Sequence, residues 1–183
     1  MPGRDFYNNI KQKIMRNIVA VLIPIAFLVA MAGCQQGSAS GEENIQKPDL
    51  INDTFPEAQA EIQEVIDETF QSLIDRDADK LISFHAYGPK FTHFKDGLPR
   101  EGSEANEKGE RDLVAAISDW EYDTNDLKIN VFGEVAVVTY HADFRPTIAG
   151  EIKQLHYQTT IVLVNTEQGW KITHEHFSPL IEG

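Results

Sequence analysis

The sequence contains one cysteine, Cys34, among 183 residues. A single cysteine forms neither an internal disulfide nor a zinc–thiolate cluster, so a disulfide framework and a zinc–thiolate site are both excluded. The sequence also lacks a Gly-rich phosphate loop, a dinucleotide-binding fingerprint and the Gly-x-Ser-x-Gly elbow. These absences argue against nucleotide-driven chemistry and against serine or cysteine hydrolases.

The N-terminal segment has the features of an export signal. Residues 18–32 are almost wholly apolar and follow four basic residues, Arg4, Lys11, Lys13 and Arg16. The run is shorter than the roughly 20 residues of a membrane-spanning helix, and Pro24 interrupts it. Its ending, Ala-Gly before Cys34, resembles a bacterial lipoprotein signal, which implies cleavage before Cys34 and a lipid on its thiol. The alternatives are an uncleaved anchor or an ordinary signal; all three place the remaining chain outside the cytoplasm.

The mature chain would be acidic and of one-domain size. Without residues 1–33 it has 12 basic and 28 acidic residues, a net charge of −16. Such a surface repels phosphate backbones, so we expect no nucleic-acid partner. Residues 34–53 are rich in small and polar side chains and predict a flexible tether. Residues 54–183 remain for a single folded domain.

Hydrophobic spacing divides the domain into helices followed by strands. A helix is predicted over residues 54–75, with Thr54 and Glu57 at capping-box spacing, and a short second helix is predicted after Asp77. A short strand at residues 91–94 precedes a third helix from Ser103 to about residue 118. Alternating patterns then predict four antiparallel strands, at residues 127–132, 135–144, 152–164 and 170–177. The order indicates an α+β domain with helices on one face of a curved sheet.

This order, together with residues 169–179 (Gly-Trp-Lys-Ile-Thr-His-Glu-His-Phe-Ser-Pro), resembles the nuclear transport factor 2-like superfamily. Within it the chain is most similar to the SnoaL-like group, which is related to the association domain of calcium/calmodulin-dependent kinase II. The resemblance implies a cone-shaped fold, in which a bent antiparallel sheet wraps the helices and leaves a pocket at its open end. It also implies a homodimer formed through the outer face of the sheet.

The last predicted strand carries the main candidate site residues. Side chains two positions apart share a face, so Trp170, Ile172, His174 and His176 are predicted on one face. Because Trp170 and Ile172 are bulky and apolar, we expect that face to line the pocket. The resemblance also implies that the short strand of His93 lies near the pocket mouth. The candidate ligand-binding residues are Tyr87, His93, Trp120, Tyr157, His174 and His176.

These histidines have three alternative roles. They can be hydrogen-bonded members of a half-buried polar layer. His174 or His93 can act as a general acid or base, since histidine titrates near neutral pH. His174 and His176 can also chelate a metal with His93, but the third ligand is only assumed, and we expect no metal and no organic cofactor.

Two further sets of polar residues are less specific. Asp143 follows His141 by two positions and shares its face, so the two can form a proton-transfer pair, with Asp143 as a candidate catalytic base. The simpler interpretation is a solvent-exposed ion pair with Arg145. Asp96, Arg100 and Glu101 lie in the loop after the short strand, which predicts either a pocket rim or an ordinary charged turn.

The sequence thus favours an envelope-anchored domain that binds a small, partly apolar molecule or a partner protein. The first alternative is a cofactor-independent acid–base enzyme of isomerase, cyclase or dehydratase type. The second is an oligomerising assembly module, whose pocket would be filled by its own side chains. The residue after the cysteine, Gln35, favours the outer membrane in bacteria that possess one, and the outer face of the cell membrane otherwise.

Overall fold

The computed structural model describes residues 47–181. The predicted lipoprotein signal, Cys34 and most of the predicted tether lie outside the described residues. In the part of the chain that is described, no helix has the length and apolar character needed to cross a membrane.

The first helix, α1 (Pro56–Asp75), presents one apolar face to the core. Ile62, Ile66 and Phe70 are each at most 5% exposed on that face. The helix begins with Pro56 in its first turn, after Phe55 in a left-handed conformation, and no side chain caps it. The predicted capping box of Thr54 and Glu57 is therefore wrong, because the chain enters the helix through the conformation of Phe55.

Two shorter helices follow, α2 (Ala78–Ser83) and α3 (Ser103–Ala116). Asp77 caps α2 as predicted, since its carboxylate accepts a hydrogen bond of 2.9 Å from the Lys80 N–H. Ser103 does not cap α3. Its hydroxyl instead bonds the backbone of Gly88, accepting from the N–H at 2.8 Å and donating to the carbonyl at 2.9 Å. These two bonds tie the start of α3 to the segment that follows α2.

The sheet has six strands in the described residues: β1 (Thr92–Lys95), β2 (Ile117–Phe132), β3 (Val135–Ile148), β4 (Glu151–Ile152), β5 (Leu155–Thr166) and β6 (Gly169–Pro179). Its order is β1-β6-β5-β3-β2, with β4 pairing with β3. The predicted antiparallel arrangement of β2, β3, β5 and β6 is confirmed, and β1 adds a parallel pairing to β6. The α+β cone fold is confirmed.

The long strands differ from prediction mainly at β2, which begins ten residues before the predicted start at residue 127. Trp120 and Val131 on β2 are buried, whereas Glu121 and Asp123 between them are exposed. One face of β2 therefore meets the helices and the other meets solvent. The core lies between α1 and the concave face of the sheet.

Strand β6 contains an irregularity that decides which residues face the core. Ile172 pairs with Leu163, but His174 pairs with Val162, so Thr173 is an extra residue opposite β5. Such a β-bulge leaves one residue unpaired and reverses the alternation beyond it. Glu175, after the bulge, is consequently 5% exposed and lies on the same face as Ile172.

Candidate functional site

A cavity of about 270 Å³ lies between the concave face of the sheet and the helices. Its mouth is marked by exposed lining residues at the end of β1, in the following loop and on α3: Lys95, Glu101, Ala105 and Gly109. Most of the remaining wall is aromatic or aliphatic: Ile66, Phe70, Leu73, Leu81, Leu113, Trp120, Tyr140, Phe144, Leu155, Tyr157, Ile161 and Phe177. The cavity therefore suits a compact, largely apolar molecule.

One wall of this cavity is polar and almost wholly buried. His93 from β1, Asn106 and Glu110 from α3, and Glu175 from β6 all line it. His85, two residues after the end of α2, lies behind the wall. Its Nε2 is 3.3 Å from Glu110 Oε1 and 3.4 Å from Glu175 Oε1. Residues from α3, from β6 and from the segment after α2 thus converge on a single point.

Hydrogen bonds hold this cluster in place. His85 Nδ1 lies 3.1 Å from the Leu81 carbonyl, and because a carbonyl only accepts, Nδ1 carries the proton. Asn106 Nδ2 donates to Glu175 Oε2 at 3.3 Å. The Tyr87 hydroxyl lies 2.6 Å from Asn106 Oδ1 and 2.9 Å from Glu110 Oε2, so it bridges the two side chains. The ring of Tyr87 also stacks on His85, with centroids 5.0 Å apart.

The electrostatics of the cluster favour positive charge at its centre. Burial opposes ionisation of His85, but the carboxylate of Glu175 and then that of Glu110 raise the pKa of His85 to about 9. Burial, reinforced by repulsion from Glu175, raises the pKa of Glu110 to about 8. Burial also opposes ionisation of Glu175, yet the charge of His85 holds its pKa below the usual range. These shifts favour a charged His85 paired with a charged Glu175 beside a neutral Glu110.

Four of the six predicted ligand-binding residues lie in or next to the cavity. His93, Trp120 and Tyr157 line it directly. Tyr87 is not part of the lining, but its hydroxyl contacts Asn106 and Glu110, which are. Within the loop predicted as a pocket rim, Glu101 lines the cavity, and its carboxylate lies 3.4 Å from His93 Nδ1.

The predicted orientation of the other two, His174 and His176, is wrong. The extra residue at Thr173 turns both onto the outer face of the sheet, where His174 Nδ1 lies 2.8 Å from Thr92 Oγ1. Phe94 packs against both imidazoles on that face. Since His93 faces inward, the three histidines proposed as metal ligands lie on two faces of the sheet and form no common site.

Asp143 also lies on the outer face, between the buried residues Ala142 and Phe144. Its carboxylate forms an ion pair with Arg145, which in turn contacts Asp123 and Glu121 across the strand pair. The structure thus supports the simpler interpretation of Asp143 as part of a surface ion-pair network. His141, its predicted partner in proton transfer, is exposed.

The sequence reasoning missed His85, Asn106, Glu110 and Glu175. The sequence of α3 did indicate two of these residues. Asn106, Glu110 and the apolar Val114 are spaced four residues apart, so they share one face of the helix. Polar residues on the apolar face of a helix point to a buried polar site. No comparable signal marked Glu175, since its orientation depends on the bulge at Thr173.

The comparisons with known proteins agree with this fold. A proposed dehydratase of the nuclear transport factor 2-like family from Streptomyces avermitilis superposes with a TM-score of 0.63 at 18% identity, over 69% of this chain and 99% of that chain. A proposed scytalone dehydratase from Novosphingobium aromaticivorans gives 0.61 at 12% identity, over 70% and 87%. A proposed calcium/calmodulin-dependent kinase II association domain from Exiguobacterium sibiricum gives 0.58 at 13% identity, over 68% and 95%. At these identities the likeness shows the fold alone.

No protein of curated function matches the sequence. The SnoaL-like domain family matches residues 62–182, which is more than half of the chain and includes the cavity and its polar wall. The match confirms the resemblance predicted from the element order and from residues 169–179. The chain therefore belongs to the SnoaL-like domain family.

Proposed function

We propose that this protein is an exported, lipid-anchored protein of the cell envelope whose SnoaL-like domain binds a small, partly apolar molecule. The cavity of about 270 Å³ is the observation that carries the proposal. A core folded only for stability fills such a volume with its own side chains, because protein interiors are densely packed. The cavity therefore weighs against the alternative of a pure assembly module.

The lining defines the chemical class of the ligand. The volume is near the lower end of small-molecule sites, about 300 Å³, so the ligand is compact. Phe70, Phe144 and Phe177 offer apolar contacts, whereas the carboxyl groups of Glu110 and Glu175 offer hydrogen-bonding atoms at one wall. The best match is a molecule with an apolar ring or chain and one hydroxyl or amino group.

Native mass spectrometry of the full-length chain, extracted in a non-ionic detergent from the producing bacterium, tests this proposal. We expect a retained small molecule, or, failing that, saturable binding of added 1-naphthol. Gly109→Phe places a ring at the mouth of the cavity and should abolish binding, because nothing lies within 4 Å of a Cβ built at Gly109. Lys108→Phe is the matched control, since Lys108 is exposed and is not part of the lining. Equal binding by both variants, or no binding by the unmodified chain, would count against the proposal.

Catalysis on the bound molecule is the alternative function. Two of the structural neighbours are named as proposed dehydratases, a reaction type that needs no organic cofactor. Of the three residues predicted as catalytic, only His93 lines the cavity, whereas His174 and Asp143 do not. Conversion of a retained molecule by the unmodified chain, lost in His93→Gln but kept in His174→Gln, would favour this alternative over simple binding.

The envelope location and a homodimeric state are part of the same proposal. They rest on the signal-like segment before Cys34 and on the family resemblance. Anchoring through Cys34 predicts that the chain fractionates with membranes and that Cys34→Ser releases it or blocks its processing. An intact mass that includes residues 1–33 and lacks a lipid would contradict the lipoprotein assignment. Light scattering of the detergent-extracted chain reports the oligomeric state.

A further inference from the structure

We propose that His85, Glu110 and Glu175 form a binding site for a divalent transition-metal ion of the zinc type at the polar wall of the cavity. Each residue offers one ligand atom, and the three atoms lie within 4.8 Å of one another; residues 47–181 contain no other such group. The inference concerns the three side chains alone and does not depend on the proposed ligand or on the location of the protein.

The distances from the His85 imidazole to the two carboxyl groups fit tetrahedral coordination. Zinc lies about 2.0–2.2 Å from imidazole nitrogen and carboxylate oxygen, so two ligands at the tetrahedral angle are about 3.3–3.5 Å apart. His85 Nε2 lies 3.3 Å from Glu110 Oε1 and 3.4 Å from Glu175 Oε1. Octahedral ligands at about 2.1 Å from a magnesium ion would lie only about 3.0 Å apart, and magnesium prefers an all-oxygen site.

His85 provides an independent indication of a ligand. Its side chain is fully buried, and its Nε2 makes no hydrogen bond of acceptable geometry with the described residues. Buried polar atoms are normally hydrogen-bonded, so an imidazole nitrogen with ion-pair contacts to two carboxyl groups but a hydrogen bond to neither needs an explanation. A bound cation supplies that explanation, because neutral imidazole donates its free electron pair to a metal.

The second nitrogen or oxygen of each proposed ligand side chain contacts another protein group, as expected for metal ligands. His85 Nδ1 donates to the Leu81 carbonyl, which leaves Nε2 available. Glu175 Oε2 is held by Asn106, and Glu110 Oε2 contacts the Tyr87 hydroxyl. This outer layer orients Nε2 and the two Oε1 atoms toward one another.

Charge also favours a cation at this point. Two carboxyl groups share the site with a single imidazole, so the three ligands together carry a charge of −2 once they have lost their protons. A divalent ion would take the place of those protons and leave the site neutral, since metal binding requires deprotonated ligands. Both carboxylates also line the cavity, so the ion would lie at its wall, within reach of a bound molecule.

Titration of the chelator-treated full-length chain in detergent with Co²⁺ and Zn²⁺ tests the site. We expect one ion per chain, a saturating Co²⁺ absorption of tetrahedral intensity and a higher melting temperature with Zn²⁺. Glu110→Gln and Glu175→Gln should each lower the affinity by at least about 10-fold. Tyr87→Phe should lower it by about 10–100-fold through the outer layer while keeping the ring and the fold.

The outer-face histidines provide the control, because surface imidazoles bind zinc adventitiously. His174→Ala combined with His176→Ala should leave the single buried site unchanged. The inference is overturned if no saturable binding occurs, or if binding is lost in the outer-face variant and kept in Glu110→Gln. Circular dichroism of each variant shows whether it is folded. If the two glutamine variants unfold, unchanged affinity in a folded Tyr87→Phe variant would overturn the inference.

Discussion

His93 on β1 lies directly beside Glu175 on β6 in the parallel register of these strands, and both side chains are buried on the inner face of the sheet. The four-residue strand β1 thus contributes a polar residue to the wall that β6 and α3 also form. Glu101 extends this wall, because its carboxylate lies 3.4 Å from His93 Nδ1. The loop before α3 therefore contributes Glu101 to the polar wall of the cavity.

The inward orientation of Glu175 gives a direct stability prediction. Glu175→Ala removes one partner of a buried ion pair and leaves Asn106 Nδ2 without its acceptor, which should lower the free energy of unfolding by about 3 kcal/mol. His176→Ala, one position further on the exposed face, should change it by less than about 0.5 kcal/mol. Urea unfolding in the presence of a chelator measures both values. Similar losses in the two variants would contradict the assigned orientation.

Gly109 offers a stabilising substitution. It lies within α3, and a Cβ built on it has no heavy atom within 4 Å. Gly109→Ala should therefore raise the free energy of unfolding by about 0.5–1 kcal/mol, because alanine loses less backbone entropy on folding. Gly97→Ala is the matched comparison, since Gly97 has a φ of +70°, which alanine adopts only with strain. This variant should have a free energy of unfolding lower by about 1 kcal/mol. Thermal unfolding of the two variants should move in opposite directions.

Arg145 is expected to stabilise the outer face in a salt-dependent manner. Its guanidinium contacts the carboxylates of Asp143, Asp123 and Glu121. Arg145→Met leaves these acidic groups facing one another, so the melting temperature should fall most at low ionic strength. At about 1 M salt, where charges are screened beyond about 3 Å, most of the difference should vanish. A salt-independent loss would show that packing, rather than charge, is responsible.

Tyr157 is expected to affect stability at alkaline pH. Burial, assisted by Asp96, raises the pKa of Tyr157 to about 12, above the value near 10 of an unfolded chain. The folded state therefore holds the phenolic proton more tightly, and the associated stability is present below about pH 10 and lost as the pH rises toward 12. Tyr157→Phe should show a shallower decline in unfolding free energy over this range. An identical decline in both proteins would contradict the assigned pKa.

The fold was predictable because its pattern is local. The spacing of Ile62, Ile66 and Phe70 predicts α1, and the alternation along β3 and β5 predicts paired strands, all of which the structure confirms. The first half of β2 was missed because residues 118–126 include three aspartates, a serine and an asparagine, and Asp and Asn in particular are uncommon in strands. With that composition, the end of α3 and the start of the strand are hard to separate.

The polar wall was less predictable because its members come from distant parts of the chain. His93, Trp120 and Tyr157 were predicted correctly as lining residues, since each belongs to a strand whose apolar face could be recognised. Asn106 and Glu110 could have been predicted as lining residues, because they are polar residues on the inner face of α3. Glu175 rather than His174 faces the cavity because of how β6 pairs with β5, and the sequence of β6 alone does not reveal that pairing.

The extra residue at Thr173 also bears on how such cavities diversify. Thr173 is the residue that the bulge absorbs, since Ile172 and His174 pair with the adjacent residues Leu163 and Val162 of β5. Loss of the codon for Thr173 would therefore give a regularly paired strand in which Glu175 still faces the cavity. Among relatives of this chain, a one-residue length difference before the final His-Glu-His segment would thus leave the cavity chemistry unchanged, whereas a one-residue shift of the pairing with β5 would exchange the acidic wall for an imidazole-lined one.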